Sequence, residues 1–145
     1  EEDSREGIAV ETTDDFTTVA WRKLLSNAIA NPITALTGRR NAVLQEPATH
    51  DLVVGLAREV VAVARAAGAA LTDGDIDTLV THYDGMPPAL GTSMLYDRLA
   101  GRPLEHEYLT GAVVATGTRV GVATPLNAAV LALLRGIRPD EARVH

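Results

Sequence analysis

A lysine and two asparagines recur at four-residue intervals in the segment WRKLLSNAIANP. On a helix that turns about 100° per residue, Lys23, Asn27 and Asn31 lie within roughly 80° of one another. Asparagine costs about half a kcal/mol relative to alanine inside a helix, so two of them beside a lysine are an unusual choice for solubility alone. An amine flanked by carboxamides can bind a carboxylate or polarise a carbonyl group. The spacing by itself still favours an ordinary solvated helix face over such a site.

A second group of polar residues lies in the segments GTSMLYD and RPLE. Ser93 and Asp97 share a helix face at a spacing of four residues, and Glu105 is expected at the start of the next helix. Structural roles account for all three: an N-cap serine, a surface aspartate and a first-turn glutamate that responds to the helix dipole. The residue pattern alone favours these roles over a catalytic one.

Metal and nucleotide motifs are not found in this sequence. His106-Glu107 opens like a zinc-protease helix, but Thr110 stands where the second histidine is needed. The other histidines have no ligand spacing, and the absence of cysteine excludes thiolate sites and disulfides. No glycine-rich dinucleotide loop or P-loop is present either. We therefore expect no bound metal, and no cofactor held by this chain alone.

Length and charge narrow the remaining possibilities. A chain of 145 residues suits one domain, and its formal charge of −6 argues against nucleic acid as a partner. No apolar run reaches the ~20 residues that span a bilayer, and no signal peptide opens the chain, so a cytoplasmic protein is expected. Hydrophobic residues make up 46% of the sequence but aromatic ones only 3%, which suits closely packed helices.

The spacing of apolar residues predicts an all-α fold, a compact bundle of about six or seven helices with no credible sheet. The first helix is expected over residues 16–36, bent or split by Pro32 and stopped by Gly38. Asn41 lies in the turn that follows. Further helices are expected at about 47–68, after a cap at Thr72 or Asp73, at 93–99, after Pro103, and after a Thr124 cap with Pro125 in the first turn. Ile8–Glu11 could form a short strand.

Three segments together resemble one known family, the ketopantoate reductases (2-dehydropantoate 2-reductases). WRKLLSNAIANPITALTG, at residues 21–38, resembles the opening helix of that family's C-terminal domain. TSMLYDRLAGRPLE, at 92–105, and GVATPLNAAV, at 121–130, resemble later segments in the same order. The resemblance covers roughly residues 7–137, and it implies the helical fold of the 6-phosphogluconate dehydrogenase C-terminal domain.

The resemblance implies NADPH-dependent reduction of a 2-oxo acid, ketopantoate, to a 2-hydroxy acid, pantoate, in pantothenate biosynthesis. Lys23 matches the general acid, and Glu105 the acidic residue near it and the substrate hydroxyl. Ser93 matches the residue that holds the substrate carboxylate. The family's substrate-binding amides match Asn27, Asn31 and Asn41, whereas Asp97 matches an acidic position with a structural role.

The sequence also departs from the family pattern. Leu104, His106 and Glu107 replace a threonine and an Ile-Asp pair around Glu105, so another branched 2-oxo acid stays open as the substrate. The family's N-terminal Rossmann domain has no counterpart here. We therefore interpret residues 1–15 as a linker or last strand of that domain, 16–138 as the helical substrate-binding domain and 139–145 as a tail.

These boundaries make the Rossmann domain the expected partner of this chain, with a homodimer through helical surfaces as a further possibility. Alone the chain is expected to be inactive, because it has nothing to hold NADP(H). The alternative is a non-catalytic helical binding or dimerisation module that shares the fold.

Overall fold

The computed structural model describes residues 2–139, with side chains from Phe16 onward. These residues form six α-helices and one short 3₁₀ helix, and no strand, which confirms the all-α prediction. The helices are α1 (Glu2–Thr37), α2 (Pro47–Ala66), α3 (Asp73–Asp84), α4 (Ser93–Leu99), α5 (Thr110–Val120) and α6 (Pro125–Gly136). The 3₁₀ helix, Asn41–Gln45, connects α1 to α2.

The first helix is longer than the sequence predicts. The short strand expected at Ile8–Glu11 is wrong, because α1 is helical from Glu2 onward. A strand needs a partner for its N–H and C=O groups, whereas a helix pairs them internally, and the described residues offer no second strand. The interpretation of residues 1–15 as a linker stays a prediction. The predicted tail lies outside the described residues except at its first position.

Pro32 does not split α1, which continues to Thr37. The helix then ends as predicted at Gly38, whose φ of +70° places it in the left-handed region that favours glycine. The Gly38 N–H donates to the Thr34 carbonyl at 2.9 Å. This stop turns the chain back so that the 3₁₀ helix lies beside α1.

The central helix of the bundle is α2, which packs against α1, α3, α5 and α6. Its predicted apolar ladder is buried, with Leu56, Val60 and Ala64 all 0% exposed. Gly117 lets α5 pack closely on α2, since a Cβ there would stand 3.3 Å from the Val63 side chain and 2.8 Å from the Val122 carbonyl oxygen of the following loop. The core is mostly alanine, valine, leucine and isoleucine, with Tyr83 as its buried aromatic residue.

The caps of two helices come from different sources. Thr72 is the N-cap of α3, one of the two caps that the sequence predicts, and its N–H donates to the Asp75 carboxylate at 2.8 Å. Thr124 occupies the N-cap position of α6, but its side chain makes no capping hydrogen bond. Glu59 of α2 replaces it, accepting the N–H groups of Leu126 at 3.0 Å and Asn127 at 2.9 Å.

The helix expected directly after Pro103 begins later, at Thr110. Residues 106–109 instead form turns, in which Tyr108 N–H donates to the Glu105 carbonyl at 3.2 Å and Leu109 N–H to that of His106 at 3.3 Å. These bonds span three residues rather than the four of an α-helix. Glu105 therefore lies in the α4–α5 loop and not in a helical first turn.

Candidate functional site

The Lys23, Asn27 and Asn31 stripe lies on one side of α1, as predicted, while Leu25, Ala28 and Ile29 of the other side are in the core. Burial increases along the stripe: Lys23 is exposed, Asn27 is half-buried and Asn31 is only 6% exposed. The reason is α4, which covers the C-terminal part of α1. The lysine end is therefore open to a ligand, and the Asn31 end belongs to a helix–helix junction.

Lys23 makes no hydrogen bond or ion pair with any side chain of residues 16–139. Its neighbour Arg22 behaves differently, because the Arg22 Nε pairs with the Asp75 carboxylate of α3 at 2.8 Å. Lys23 is also the sole lysine of the sequence. Of the 13 lysine and arginine residues, all the others are arginines. A guanidinium does not release its proton in proteins, whereas an ammonium can. Between the lysine and arginine side chains of this sequence, only Lys23 suits proton donation.

Asn31 and Ser93, 62 positions apart in the sequence, meet where α4 begins. The Ser93 hydroxyl donates to the Asn31 Oδ1 at 3.2 Å, and the Met94 N–H donates to the same oxygen at 3.1 Å. The Asn31 Nδ2 donates to the Asn27 carbonyl at 3.0 Å. Ser93 itself is exposed. The structure therefore brings two of the predicted site residues into direct contact.

Asn41 is buried, at 3% exposure, at the start of the 3₁₀ helix. Its Nδ2 donates to the Pro87 carbonyl at 3.3 Å, and its N–H donates to the Leu90 carbonyl at 2.8 Å. Its Oδ1 is buried without a hydrogen-bond partner among the described residues. The carboxamide of Asn41 thus holds the loop after α3 and offers almost no surface to a ligand.

Two glutamates of the α4–α5 loop have different surroundings. Glu107 forms a bidentate pair with Arg135 of α6, at 2.7 and 2.9 Å, and contacts the His106 Nε2 at 3.0 Å. The Arg135 hydrogen bond lowers the pKa of Glu107. Glu105 is exposed and has no ion pair or hydrogen bond from its side chain within the described region. Of these two carboxylates, Glu105 is the one available to a ligand.

Further contacts between α1 and α4 were not anticipated from the sequence. Thr92, rather than Ser93, is the N-cap of α4, and its hydroxyl accepts the Leu95 N–H at 3.2 Å. The same hydroxyl lies 2.6 Å from that of Thr34, which is fully buried. At the other end of α4, the Arg98 guanidinium donates to the Ala35 and Leu36 carbonyls near the end of α1. The local signal for Thr92 was the preference for threonine at N-caps.

Asp97, expected to be structural, pairs with Arg102 at 2.9 Å just after α4.

Three hollows among the described residues are lined by none of the six predicted site residues. One of about 760 Å³, between α2 and α3, is lined by His50, Val54, Arg58, Asp73 and Asp77 among others. The two smaller ones have volumes of about 330 and 190 Å³. Lys23, Ser93 and Glu105 are instead exposed on the surface. The three hollows therefore do not coincide with the predicted site, whose exposed residues lie open on the surface of the described region.

In the described region, no three His, Asp or Glu side chains are grouped so that they could hold a metal ion. The same residues contain no helix both long and apolar enough to cross a membrane.

Comparison with known proteins identifies the family. A sequence profile of the ketopantoate reductase PanE/ApbA C-terminal region matches residues 15–138. The 2-dehydropantoate 2-reductase of Mycobacterium tuberculosis is 42% identical over 128 residues, covering 88% of this chain and 43% of that protein. The Caulobacter vibrioides enzyme is 37% identical over 127 residues, with coverages of 88% and 43%.

Solved structures agree with the sequence comparisons. A dimeric ketopantoate reductase from Staphylococcus aureus matches with a TM-score of 0.79 and 32% identity, covering 83% of this chain and 43% of that one. A D-mandelate dehydrogenase, solved with NADH and anilino(oxo)acetate, matches with a TM-score of 0.76 and 25% identity, with coverages of 85% and 52%. The chain spans less than half the length of the curated relatives it matches. It belongs to the ketopantoate reductase family, of which it represents the C-terminal helical domain.

Proposed function

We propose that this chain is the substrate-binding and proton-donating domain of a longer enzyme that reduces ketopantoate to pantoate with NADPH. The single observation that carries the proposal is Lys23: it is exposed, unpaired among the described residues and the sole lysine of the sequence. The resemblance also matches Lys23 to the family's general acid, and the chain is 42% identical to a 2-dehydropantoate 2-reductase.

Reduction of a ketone places negative charge on the carbonyl oxygen. An ammonium within hydrogen-bond reach of that oxygen stabilises the charge in the transition state and then supplies the proton. We assign this role to Lys23. Asn27, one turn along α1 and half-buried, is assigned to bind the substrate beside it. Ser93 is assigned to the substrate carboxylate, and Glu105, which has no competing partner, to the hydroxyl side.

Asn31 and Asn41 are expected substrate ligands by resemblance, but the structure supports an indirect contribution from both. Their carboxamides are buried and bonded to α4 and to the Pro87 carbonyl, respectively. We propose that they shape the site by holding its walls in place.

The described residues do not form the Rossmann-type site that holds a nicotinamide cofactor. Dinucleotides bind at the turn between a strand and a glycine-rich helix start, and the described residues contain no strand. We therefore assign the cofactor to an N-terminal domain, which accounts for the relatives being more than twice as long as the match. That domain would also cover the open site, and we propose that the enzyme forms a homodimer, since the S. aureus relative is dimeric.

A different 2-oxo acid is the second candidate substrate. The likeness to a D-mandelate dehydrogenase favours it, since that enzyme was solved with anilino(oxo)acetate on the same helical fold. The family pattern also changes at Leu104, His106 and Glu107, on both sides of Glu105. Comparing kcat/KM for ketopantoate and for other branched or aromatic 2-oxo acids decides between the two.

Replacement of Lys23 tests the proposal in the protein that carries this chain with its N-terminal domain. Lys23→Arg keeps the positive charge but cannot give up a proton, so we expect kcat to fall by about two to four orders of magnitude. Lys23→Ala should lose at least as much, while the Kd for NADPH stays unchanged in both variants. Arg22→Lys, the neighbouring cation, is the matched control and should keep kcat. A Lys23→Arg enzyme of normal turnover would rule out Lys23 as the acid.

A further inference from the structure

The start of α4 is held by a side chain of α1. Asn31, 6% exposed, accepts two hydrogen bonds on one oxygen: from the Met94 N–H at 3.1 Å and from the Ser93 hydroxyl at 3.2 Å. A main-chain N–H can only donate, so the atom that faces Met94 must be the amide oxygen. This settles the orientation of the carboxamide.

The rest of the Asn31 amide is directed back to its own helix. Its Nδ2 donates to the Asn27 carbonyl, one turn earlier, at 3.0 Å. Both lone pairs of the oxygen and one of the two amide hydrogens are therefore committed within the protein. Little of this side chain is left for a ligand, and its position is fixed from both ends.

Ser93 differs from Asn31 in being exposed. Its place depends on Asn31 in two ways: through its own hydroxyl and through the backbone of the next residue, Met94. A substrate carboxylate can replace the Asn31 oxygen as the acceptor of the Ser93 hydroxyl, because a charge-assisted hydrogen bond is stronger than a neutral one. The Met94 bond needs no change, so Asn31 continues to hold the backbone of Ser93 when a ligand is bound.

The next turn of α1 provides a comparison within the same junction. The Thr34 hydroxyl donates to the Ala30 carbonyl at 2.8 Å. Because that bond uses its one proton, Thr34 is the acceptor in the 2.6 Å contact between its hydroxyl and that of Thr92. Thr92 in turn accepts the Leu95 N–H. Thr34 thus anchors α4 as Asn31 does, but without contacting Ser93.

We propose that Asn31 is a positioning residue that acts on the substrate only through Ser93, and that it is not itself a substrate ligand. The inference rests on the proposed function, in which Ser93 holds the carboxylate of the 2-oxo acid. It predicts that the kinetic effect of changing Asn31 depends on the presence of Ser93.

A double-mutant cycle in the enzyme with its N-terminal domain tests this dependence. Ser93→Ala should raise KM for the 2-oxo acid about ten- to hundredfold, as expected for one hydrogen bond to a charged group. Asn31→Ala should raise KM about three- to tenfold in the wild-type background, with kcat changed much less. In the Ser93→Ala background the same substitution should change KM by less than about twofold.

Thr34→Val is the matched control. It removes an α1–α4 bond of the same junction, so its effect on thermal stability should resemble that of Asn31→Ala, while KM stays within about twofold of wild type. A merely structural role for Asn31 would make the two variants alike in KM as well. Asn31→Leu keeps the buried volume without the acceptor oxygen, and it replaces Asn31→Ala if that variant does not fold.

The outcomes separate the inference from the proposed function. Equal effects of Asn31→Ala on KM with and without Ser93 would overturn the inference and make Asn31 a direct ligand. An unchanged KM in Asn31→Ala also overturns it. If Ser93→Ala leaves KM unchanged, the carboxylate role of Ser93 fails and the inference fails with it. Loss of kcat in Lys23→Arg would still support the reductase.

Discussion

Tyr83 of α3 donates its hydroxyl to the main-chain carbonyl of Ser26 in α1, at 2.6 Å. The phenol is 1% exposed, and burial raises its pKa, so it keeps its proton at any physiological pH. Ser26 lies between Lys23 and Asn27 on α1. The bond therefore fixes the position of this part of α1, which carries Lys23 and Asn27, relative to α3.

Removing this hydroxyl should destabilise the fold. Tyr83→Phe leaves the ring in place but deprives it of its partner, which we expect to lower the free energy of unfolding by about 1–2 kcal/mol. Urea denaturation followed by circular dichroism measures the loss. Tyr108→Phe is the matched control, because Tyr108 is 79% exposed and should unfold like wild type. Equal midpoints for all three proteins would show that the Tyr83 bond contributes nothing.

The two loop glutamates should respond differently to the same change. Glu105→Gln is expected to reduce kcat/KM at least tenfold in the enzyme with its N-terminal domain, because we assign its exposed, unpaired carboxylate to the hydroxyl side of the substrate. Glu107→Gln should keep kcat/KM within about threefold, because Glu107 is engaged by Arg135 and His106. Steady-state kinetics of both variants checks this. The reverse pattern would exchange the roles assigned to these two residues.

Acid should weaken the attachment of α3 to α1. Burial raises the pKa of Asp75, but the hydrogen bonds from Thr72 and Arg22 outweigh it and leave the pKa below the ordinary value of 3.8. The unfolded chain then binds a proton at higher pH than the folded one does. The resulting stabilisation is present above the unfolded pKa and is lost as pH falls through the folded pKa.

Urea midpoints at pH 7 and pH 3 measure this effect. The midpoint of the wild-type chain should fall between the two values, and that of Asp75→Asn should fall less, because the substituted amide does not titrate. Asp77→Asn, an exposed aspartate of the same helix, is the control and should follow the wild type. Identical pH dependence of Asp75→Asn and wild type would remove Asp75 as a source of acid sensitivity.

Local rules predicted most of the helices. Apolar spacing predicted α2 and α6, a glycine stop predicted the end of α1 at Gly38, and a cap at Thr72 or Asp73 predicted the start of α3, because each depends on residues within one or two turns. The same rules failed at residues 8–11 and at the start of α5. Residues 8–11 are helical rather than extended, and residues 106–109 form turns with bonds that span three residues, and residue propensity alone selects neither.

The sequence by itself determined the family, the all-α class and the face of α1 that carries Lys23 and Asn27, since motifs and helical period are local properties. Only the tertiary structure decided what the polar side chains do. Asn31 contacts Ser93 across 62 positions, Glu59 of α2 caps α6 by accepting the Asn127 N–H across 68, and Arg135 pairs with Glu107 rather than Glu105. Such contacts depend on how the helices pack, because a side chain's partners are chosen by distance in space and not by spacing along the chain.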